Sequence, residues 1–523
     1  MPGSRDLYEL IGTLTKSEKR YCRMMLEGGA GRKASSSLRL FELLTAMSEP
    51  TEEKVRTAVA GEAFAGHLPV TKRHLYQHIL RSLRSFRGEN STRGRIRALT
   101  ESAEVLADRG LNRQAREALD AAWRIAEEHD FLVEQLTLLR LEWLLDSRLS
   151  YAGVQAADFE MRRERAGCVL RKVENYWDYL HLFSTVSFSL ITEGPLREER
   201  ITNNQWIAGH PLVRSPRTLS QGAARFYFET LRMYYLLSAR YYEGYLNSVR
   251  YLEFVDALPM NIRMEQYSYV QLLDTHVMLC VKIGKYDEAR STYRRICALE
   301  PVTWERRMMV EEGRFTCRVL LLMIDFDHDG LAAMAPELEQ LRRGRDRAIV
   351  WQTELAYTIN LAYARFANGL LREAAVTLHP VINDHRPGFR NDALCLARLL
   401  QLMIHYDLGD YELLPYLIRS TYRFFAGCNH LHAFERAVLA FMRRLASVLT
   451  SDELRREFES TFTELSSIAA DRREYEASSA FAVLPWLESR LTGRPFGDVL
   501  RGQRDRRSQE YERAGIDVEV MHA

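Results

Sequence analysis

Three groups of residues in this 523-residue chain have the side-chain types that ligate metals, and each lacks a ligand that a site needs. Asp325, Asp327, Asp329 and Gly330 reproduce D-x-D-x-D-G, the first half of a calcium-binding loop. Such a loop is closed by a bidentate glutamate at its twelfth position, and here that place is Pro336. Three acids between two helical patterns therefore read as a solvated cap. His74 and His78 stand four apart, but Leu75, Tyr76 and Gln77 lie between them where a zinc protease carries its glutamate. They read as a surface pair. Cys428, His430 and His432 crowd a short loop with zinc-ligand chemistry, yet no fourth ligand follows at suitable spacing. The sequence also has no phosphate-cradling Walker loop, no dinucleotide glycine fingerprint after a strand and no G-x-S-x-G elbow. Tyr234, Tyr235, Tyr241, Tyr242, Tyr245 and Tyr251 could suggest a ligand box, but their spacing suits packing between long helices. No catalytic residue, metal or cofactor is expected, and the chain reads as a non-enzyme.

The elements that carry these residues are helices. With 14 prolines and 28 glycines in 523 positions, long helices can run uninterrupted, which favours an all-α chain. Single hydrophobic cores stop growing near roughly 250–300 residues, so the chain must form several domains or an elongated array. The seven cysteines are dispersed without a C-x-x-C pair and read as reduced, mostly buried thiols. The first residues carry no basic-then-apolar leader, and the longest apolar run, 319–324, is far short of the roughly 20 residues that span a bilayer. A cytoplasmic protein without membrane contact is expected. Net charge is +2, but residues 1–100 carry 18 Lys+Arg against 10 Asp+Glu, leaving the remainder mildly acidic. A basic head of this kind can mark a nucleic-acid or acidic-partner surface. Only eight of the 72 basic residues are lysine, so a local count of arginines adds little.

The strongest pattern is a glycine followed by small or apolar residues five, nine and twelve positions later. Gly110 is followed by Ala115, Leu119 and Ala122; Gly284 by Ala289, Tyr293 and Ile296; Gly369 by Ala374, Leu378 and Val381; Gly409 by Leu414, Ile418 and Thr421. Glycine ends one helix in the left-handed conformation, and steps of four and three place the following residues on one stripe of the next. An alanine at the first position lets the two helices approach closely. Fainter turns near Ala152, Gly194, Ala239 and Asp327 complete a series with intervals of 42, 42, 45, 45, 43, 42 and 40.

The string G-K-Y-D-E-A-R-S-T-Y at 284–293, with R-R-I-C-A-L-E-P after it, resembles the second half of a tetratricopeptide repeat (TPR). The resemblance implies helical hairpins stacked into a right-handed α-solenoid. Since that repeat has a period of about 34 residues, hairpins here would use longer helices of about 16–20 residues. A second resemblance lies at the two ends. L-T-K-S-E-K-R-Y at 14–21, R-H-L-Y-Q-H-I-L-R-S-L-R-S-F at 73–86 and L-P-W-L-E-S-R-L at 484–491 are similar to a widespread bacterial family of uncharacterised helical-repeat proteins. It supports the architecture and implies no activity.

Residues 1–92 do not follow the repeat and read as a basic four-helix head. Thr15 with Glu18 forms a capping box opening a helix to about Leu26; others follow at about Ser36–Met47, after Pro50, and from Thr71 to about Phe86. In that last helix Leu75, Ile79, Leu83 and Phe86 share one face, with Arg73, Gln77, Arg81 and Arg84 on the opposite one. Those four are candidate nucleic-acid contacts, with a solvated arginine face on a capping domain as the alternative. The segment from Glu62 to Pro69 is longer than the turn of a helix-turn-helix. Residues 93–425 read as the repeats, 426–500 as a helical cap with a second capping box at Thr450 and Glu453, and 501–523 as a charged tail.

The fold expected is therefore an all-α solenoid of long TPR-like hairpins with an N-terminal head and a C-terminal cap. By family analogy its concave surface, lined by the first helix of each pair, takes a peptide segment or helix of a protein partner. The repeat register proposes Asp274, Met278, Lys282, Tyr363, Phe366, Met403 and Tyr406 as its lining. The alternative reading is a regulator whose head binds nucleic acid while its repeats sense a peptide or protein partner.

Overall fold

Leucine- and alanine-rich segments with few prolines fold as helices throughout, and no strand occurs among the described residues. The computed structural model describes residues 4–28, 36–47, 50–193, 206–238, 240–260, 262–263, 269–301, 304–344, 347–383, 391–428, 430–445, 450–470 and 482–506. Two compact units are present: residues 1–177 with 219–221 and 301–305, and residues 178–218, 222–300 and 306–523. No helix among the described residues is long and apolar enough to cross a membrane.

The first unit opens with α1 (Ser4–Thr13), α2 (Lys16–Gly28), α3 (Ser36–Ala46), α4 (Glu52–Ala58) and α5 (Leu68–Asn90). The four-helix expectation missed α1, although Leu7, Leu10, Ile11 and Leu14 repeat at helical spacing. Leu7 and Ile11 join Cys22, Leu40, Phe41, Leu44, Leu75 and Ile79 in one core. The Thr15 hydroxyl accepts from the Glu18 backbone, and the Glu18 carboxylate accepts from the Thr15 backbone, so the first capping box forms. Lys72 is only 5% exposed; it pairs with Glu52 at 2.7 Å and donates to the Tyr8 hydroxyl, tying α5 to α4 and α1.

Ser91 caps α6 (Thr92–Asp108), which is followed by α7 (Asn112–Glu128), α8 (Leu132–Arg148) and α9 (Ala156–Glu193). Ala115, Leu119 and Ala122 face Ile96 and Ala103 in a shared core, which is why the hairpin tolerates so close an approach.

The second unit holds most or all of α10 (Gln221–Leu237), α11 (Tyr241–Asp256), α12 (Tyr269–Lys282), α13 (Tyr286–Cys297), α14 (Trp304–Ile324), α15 (His328–Ala332), α16 (Ala335–Gly344), α17 (Arg347–Ala367), α18 (Leu371–Ile382), α19 (Asn391–Leu408), α20 (Leu414–Gly427), α21 (Ala433–Leu445), α22 (Ser451–Ala469) and α23 (Val483–Thr492). From α17 to α22 each helix packs on the next in sequence, as do α11, α12 and α13, with α11 on α12 and α12 on α13. The second capping box, Thr450 with Glu453, opens α22.

All four repeat glycines take the left-handed conformation, with φ of 75° at Gly110, 79° at Gly284, 75° at Gly369 and 80° at Gly409. Each turn closes in the same way. At Gly284 the Lys285 N–H reaches the Cys280 carbonyl at 2.8 Å, and the glycine N–H reaches Val281. Equivalent pairs end the preceding helix at Gly110, Gly369 and Gly409, satisfying carbonyls that would otherwise lack partners. Of the spaced residues, Ala289, Ile296, Ala374, Leu378, Leu414, Ile418 and Thr421 are all inside, each leucine contributing roughly 1.5–3 kcal/mol, while Tyr293 is half-buried. The faint turns at 152 and 327 are present, with Gly153 and Phe326 left-handed. Those at Gly194 and Ala239 fall outside the described residues.

Two expectations need correction. Helix α9 is 38 residues long, about twice the expected hairpin helix, because no proline interrupts 156–193 and its one glycine, Gly167, continues the helix. After Asp327 the second helix is split into the short α15 and α16, whose break holds Ala333 and Met334 before Pro336.

Candidate functional site

In α12 Gln271 is exposed and Asp274, Met278, Val281 and Lys282 are half-buried, a stripe at helical spacing in which the Asp274 carboxyl itself is buried. The opposite side carries Leu272, Leu273, His276, Val277, Leu279 and Cys280 into the core. Three of the expected lining residues, Asp274, Met278 and Lys282, thus lie on one side of α12, all of them half-buried.

This stripe sits in a ladder of polar contacts running from α10 through α12 and α14 to α17. Arg232 on α10 donates to Thr275 on α12 at 3.4 Å, 43 residues away. Thr316 on α14 donates to Asp274 on α12 at 2.7 Å, 42 residues away. Thr353 on α17 donates to Glu312 on α14 at 3.1 Å, 41 residues away. Contacts outside this ladder repeat the offset: Tyr245 on α11 donates to Glu288 on α13 across 43 residues, and the Asn368 amide reaches the Phe326 carbonyl across 42. Polar contacts thus recur between helices at separations of 41 to 43 residues. Asp274 also accepts from the Cys317 thiol at 3.1 Å, and burial raises its carboxyl pKa despite both donors.

The other lining candidates have different surroundings. Met278 packs on the core formed by α11 to α14, and the Lys282 ammonium lies 5.1 Å from the Tyr241 ring centre. Tyr363 and Phe366 on α17 both contact Phe496, and Phe366 is 2% exposed. Met403 on α19 is 0% exposed, and Tyr406 meets the Trp486 ring at 5.6 Å. Phe366 and Met403 therefore cannot line an open groove here. The C-terminal residues 482–506 occupy that side: Trp486 donates to Asp407, Arg490 pairs with the same carboxylate, and Arg504 pairs with Asp325.

Sequence reasoning gave no sign of a polar cluster beneath the α12 stripe. His276, 2% exposed, lies 2.7 Å through Nδ1 from the Ser248 hydroxyl and 3.0 Å through Nε2 from Glu288. The Tyr245 hydroxyl donates to the other Glu288 oxygen, and Lys285 donates to that hydroxyl. Hydrogen bonding to His276 holds the Glu288 carboxyl below its usual range against the opposing effect of burial. The order serine, histidine, acid has the connectivity of an acyl-transfer triad. Ser248, however, is 1% exposed and also bonds the Tyr245 carbonyl one turn back, so no substrate carbonyl reaches it. His276, Cys280 and Glu288 form the one group among the described residues whose ligand atoms approach within 4.8 Å of one another. Burial raises the Cys280 thiol pKa, and Lys285 places a positive charge beside the cluster, so the arrangement suits a structural tie among α11, α12 and α13. The signal that would have found it is the 43-residue offset from Tyr245 to Glu288.

In the head, Arg73, Gln77, Arg81 and Arg84 are all exposed, while Leu75 and Ile79 are buried on the opposite side of α5. The acids at 325–329 form a cap: the Asp327 carboxylate accepts from the Gly330 backbone at 2.9 Å, Asp325 pairs with Arg504, and Asp329 lies toward His328. His74 is exposed and His78 half-buried, as a surface pair would be. No family model, curated protein or solved structure matches the chain.

Proposed function

We propose that the chain is a non-catalytic interaction scaffold, an α-solenoid of long TPR-like hairpins between a helical head and a helical cap. It takes a peptide segment or helix of a protein partner along its first helices. The observation that carries this reading is the polar ladder, whose separations of 43, 42 and 41 residues follow the turn intervals of the sequence. Stacked units in which each helix meets its counterpart one repeat on are the defining relation of a solenoid. The side of α12 that carries Gln271, Met278 and Lys282 is its binding surface; Phe366 packs against Phe496, and Phe366 and Met403 serve the core.

The test uses the full chain as bait beside a variant carrying Met278→Arg and Lys282→Glu, both folded by circular dichroism. A partner retained by the wild type and lost by the variant supports the reading. Equal retention by both overturns the assignment of this surface.

A second reading rests on the exposed row Arg73, Gln77, Arg81 and Arg84: a head that contacts nucleic acid, with the repeats as sensor. Phosphate contacts weaken steeply with salt, so a mobility shift at two salt concentrations tests it. Absence of binding at low salt removes it.

A further inference from the structure

The end of α20 brings two thiols together. Cys395 is buried on α19, Cys428 caps α20 and is half-buried, and their sulfurs lie 4.0 Å apart across 33 residues. A disulfide spans about 2.05 Å, so the sulfurs need to close by about 2 Å. The two are also differentiated. Cys428 shares a hydrogen bond with Cys395, in which either thiol can donate, and faces a backbone N–H of His430 and the Arg398 guanidinium; against the opposing effect of burial these lower its thiol pKa, although its thiol also lies 3.7 Å from the Phe425 carbonyl. Arg398 is held there on the Phe424 ring, 4.4 Å from its centre, and reaches the Ile382 carbonyl and Ser420. Of the other cysteines, Cys168 and Cys297 are exposed and Cys22, Cys280 and Cys317 are buried.

We propose that Cys428 and Cys395 form a reversible redox pair, with Cys428 reacting with a hydroperoxide and Cys395 resolving it into an internal disulfide. The Cys428 thiolate attacks the outer peroxide oxygen; the O–O bond breaks, the departing alkoxide or hydroxide takes a proton, and Cys428 becomes a sulfenic acid. Cys395 then attacks that sulfur. The S–O bond breaks, and the released hydroxide leaves as water with the Cys395 proton. Two electrons pass from the two thiols to the peroxide, and a dithiol reductant returns them.

The experiment titrates the full chain with hydrogen peroxide, alkylates the remaining thiols and maps the peptides by mass. The expected result is a Cys395–Cys428 cross-linked peptide pair lighter by two hydrogens and reversed by dithiothreitol, with the free thiols falling from seven to five. It should form at least about tenfold faster than Cys168 or Cys297 is oxidised, since reactivity follows thiolate content. In Cys395→Ser, Cys428 should accumulate as a sulfenic acid trapped by dimedone. In Cys428→Ser, checked to be folded by circular dichroism, Cys395 should cease to react. The proposal fails if Cys428 oxidises no faster than the two exposed thiols. It fails equally if Cys428 passes to a sulfinic acid while Cys395 stays free, or if Cys395 reacts at its wild-type rate in Cys428→Ser.

Discussion

The Thr316 hydroxyl donates to the Asp274 carboxylate at 2.7 Å, joining α14 to α12 at positions 42 residues apart. A carboxylate between two helices loses hydration, and the donors that replace water here are a hydroxyl and a thiol. Burial prevails, so the folded-state pKa of Asp274 is raised.

That direction fixes the sign of a pH effect. Between the unfolded pKa, near 3.9 for aspartate, and the raised folded pKa, the folded state holds more protons, so this group's contribution to stability falls as pH rises. Asp274→Asn removes the ionisation while leaving an acceptor for Thr316. Its unfolding midpoint in urea should equal or exceed wild type at pH 7, and the advantage should shrink as pH is lowered toward 4. A variant less stable than wild type at pH 7 by more than about 1 kcal/mol would contradict the burial argument.

Two glycines separate conformational from steric cost. A Cβ at Gly369 meets nothing within 4 Å, but its φ of 75° is one that L-residues adopt at a cost. Gly369→Ala should destabilise by about 1 kcal/mol, and Gly369→Asn by less, because asparagine tolerates the left-handed region. Gly313 lies inside α14, where helical φ suits alanine, yet a Cβ there would come within 2.6 Å of Val270 on α12. Gly313→Ala should cost about 1–3 kcal/mol through overpacking, and Val270→Ala in the same chain should recover part of it. Chemical denaturation of the four variants reads both effects.

What the sequence made legible is what local physics determines. Glycine turns are encoded within six residues, so Gly110, Gly284, Gly369 and Gly409 and the stripes after them could be read directly, as could the capping boxes at Thr15 and Thr450. The same turn made by Asp130 or Phe326 carries no glycine, and only the weaker Asp327 signal was visible. The covering of Phe366 by Phe496 depends on residues far along the chain, as does the reach of Trp486 to Asp407 across 79 positions, and no periodicity announces such meetings. Ser248, His276 and Glu288 likewise come from three helices and form no motif in line.

The His276–Glu288 pair predicts a second pH signature, opposite in sign to that of Asp274. Because the folded pKa of Glu288 is depressed, its contribution is present above the unfolded glutamate value near 4.3 and is lost as pH falls through the folded pKa. Glu288→Gln keeps the shape and removes the charge. At pH 7 it should cost about 1 kcal/mol, a figure reduced by solvent screening of the partly exposed carboxylate, with the gap to wild type closing as pH approaches 3. Denaturation profiles across that range should converge; parallel profiles would mean that the carboxylate charge has no part in holding α11, α12 and α13.

Residues 482–506 occupy the side where Phe366 was expected to be open. Trp486 is fully buried, stands edge-on to Tyr406 and Phe441, and donates its indole N–H to Asp407, whose carboxyl burial pushes upward in pKa. Trp486→Ala removes the ring and one donor at once, for about 3–5 kcal/mol on the cavity alone. Trp486→Phe retains most of the ring contacts and loses only the donor, so it should cost about 1–2 kcal/mol, with Arg490 still paired to Asp407. If residues 482–506 cover this side as one cooperative piece, amide exchange in the Trp486→Ala chain should accelerate together across α23 and the part of α19 around Met403, while α12 and α13 stay protected. Exchange that rises in α23 alone would show that Met403 owes its burial to the neighbouring helices α18 and α20 instead.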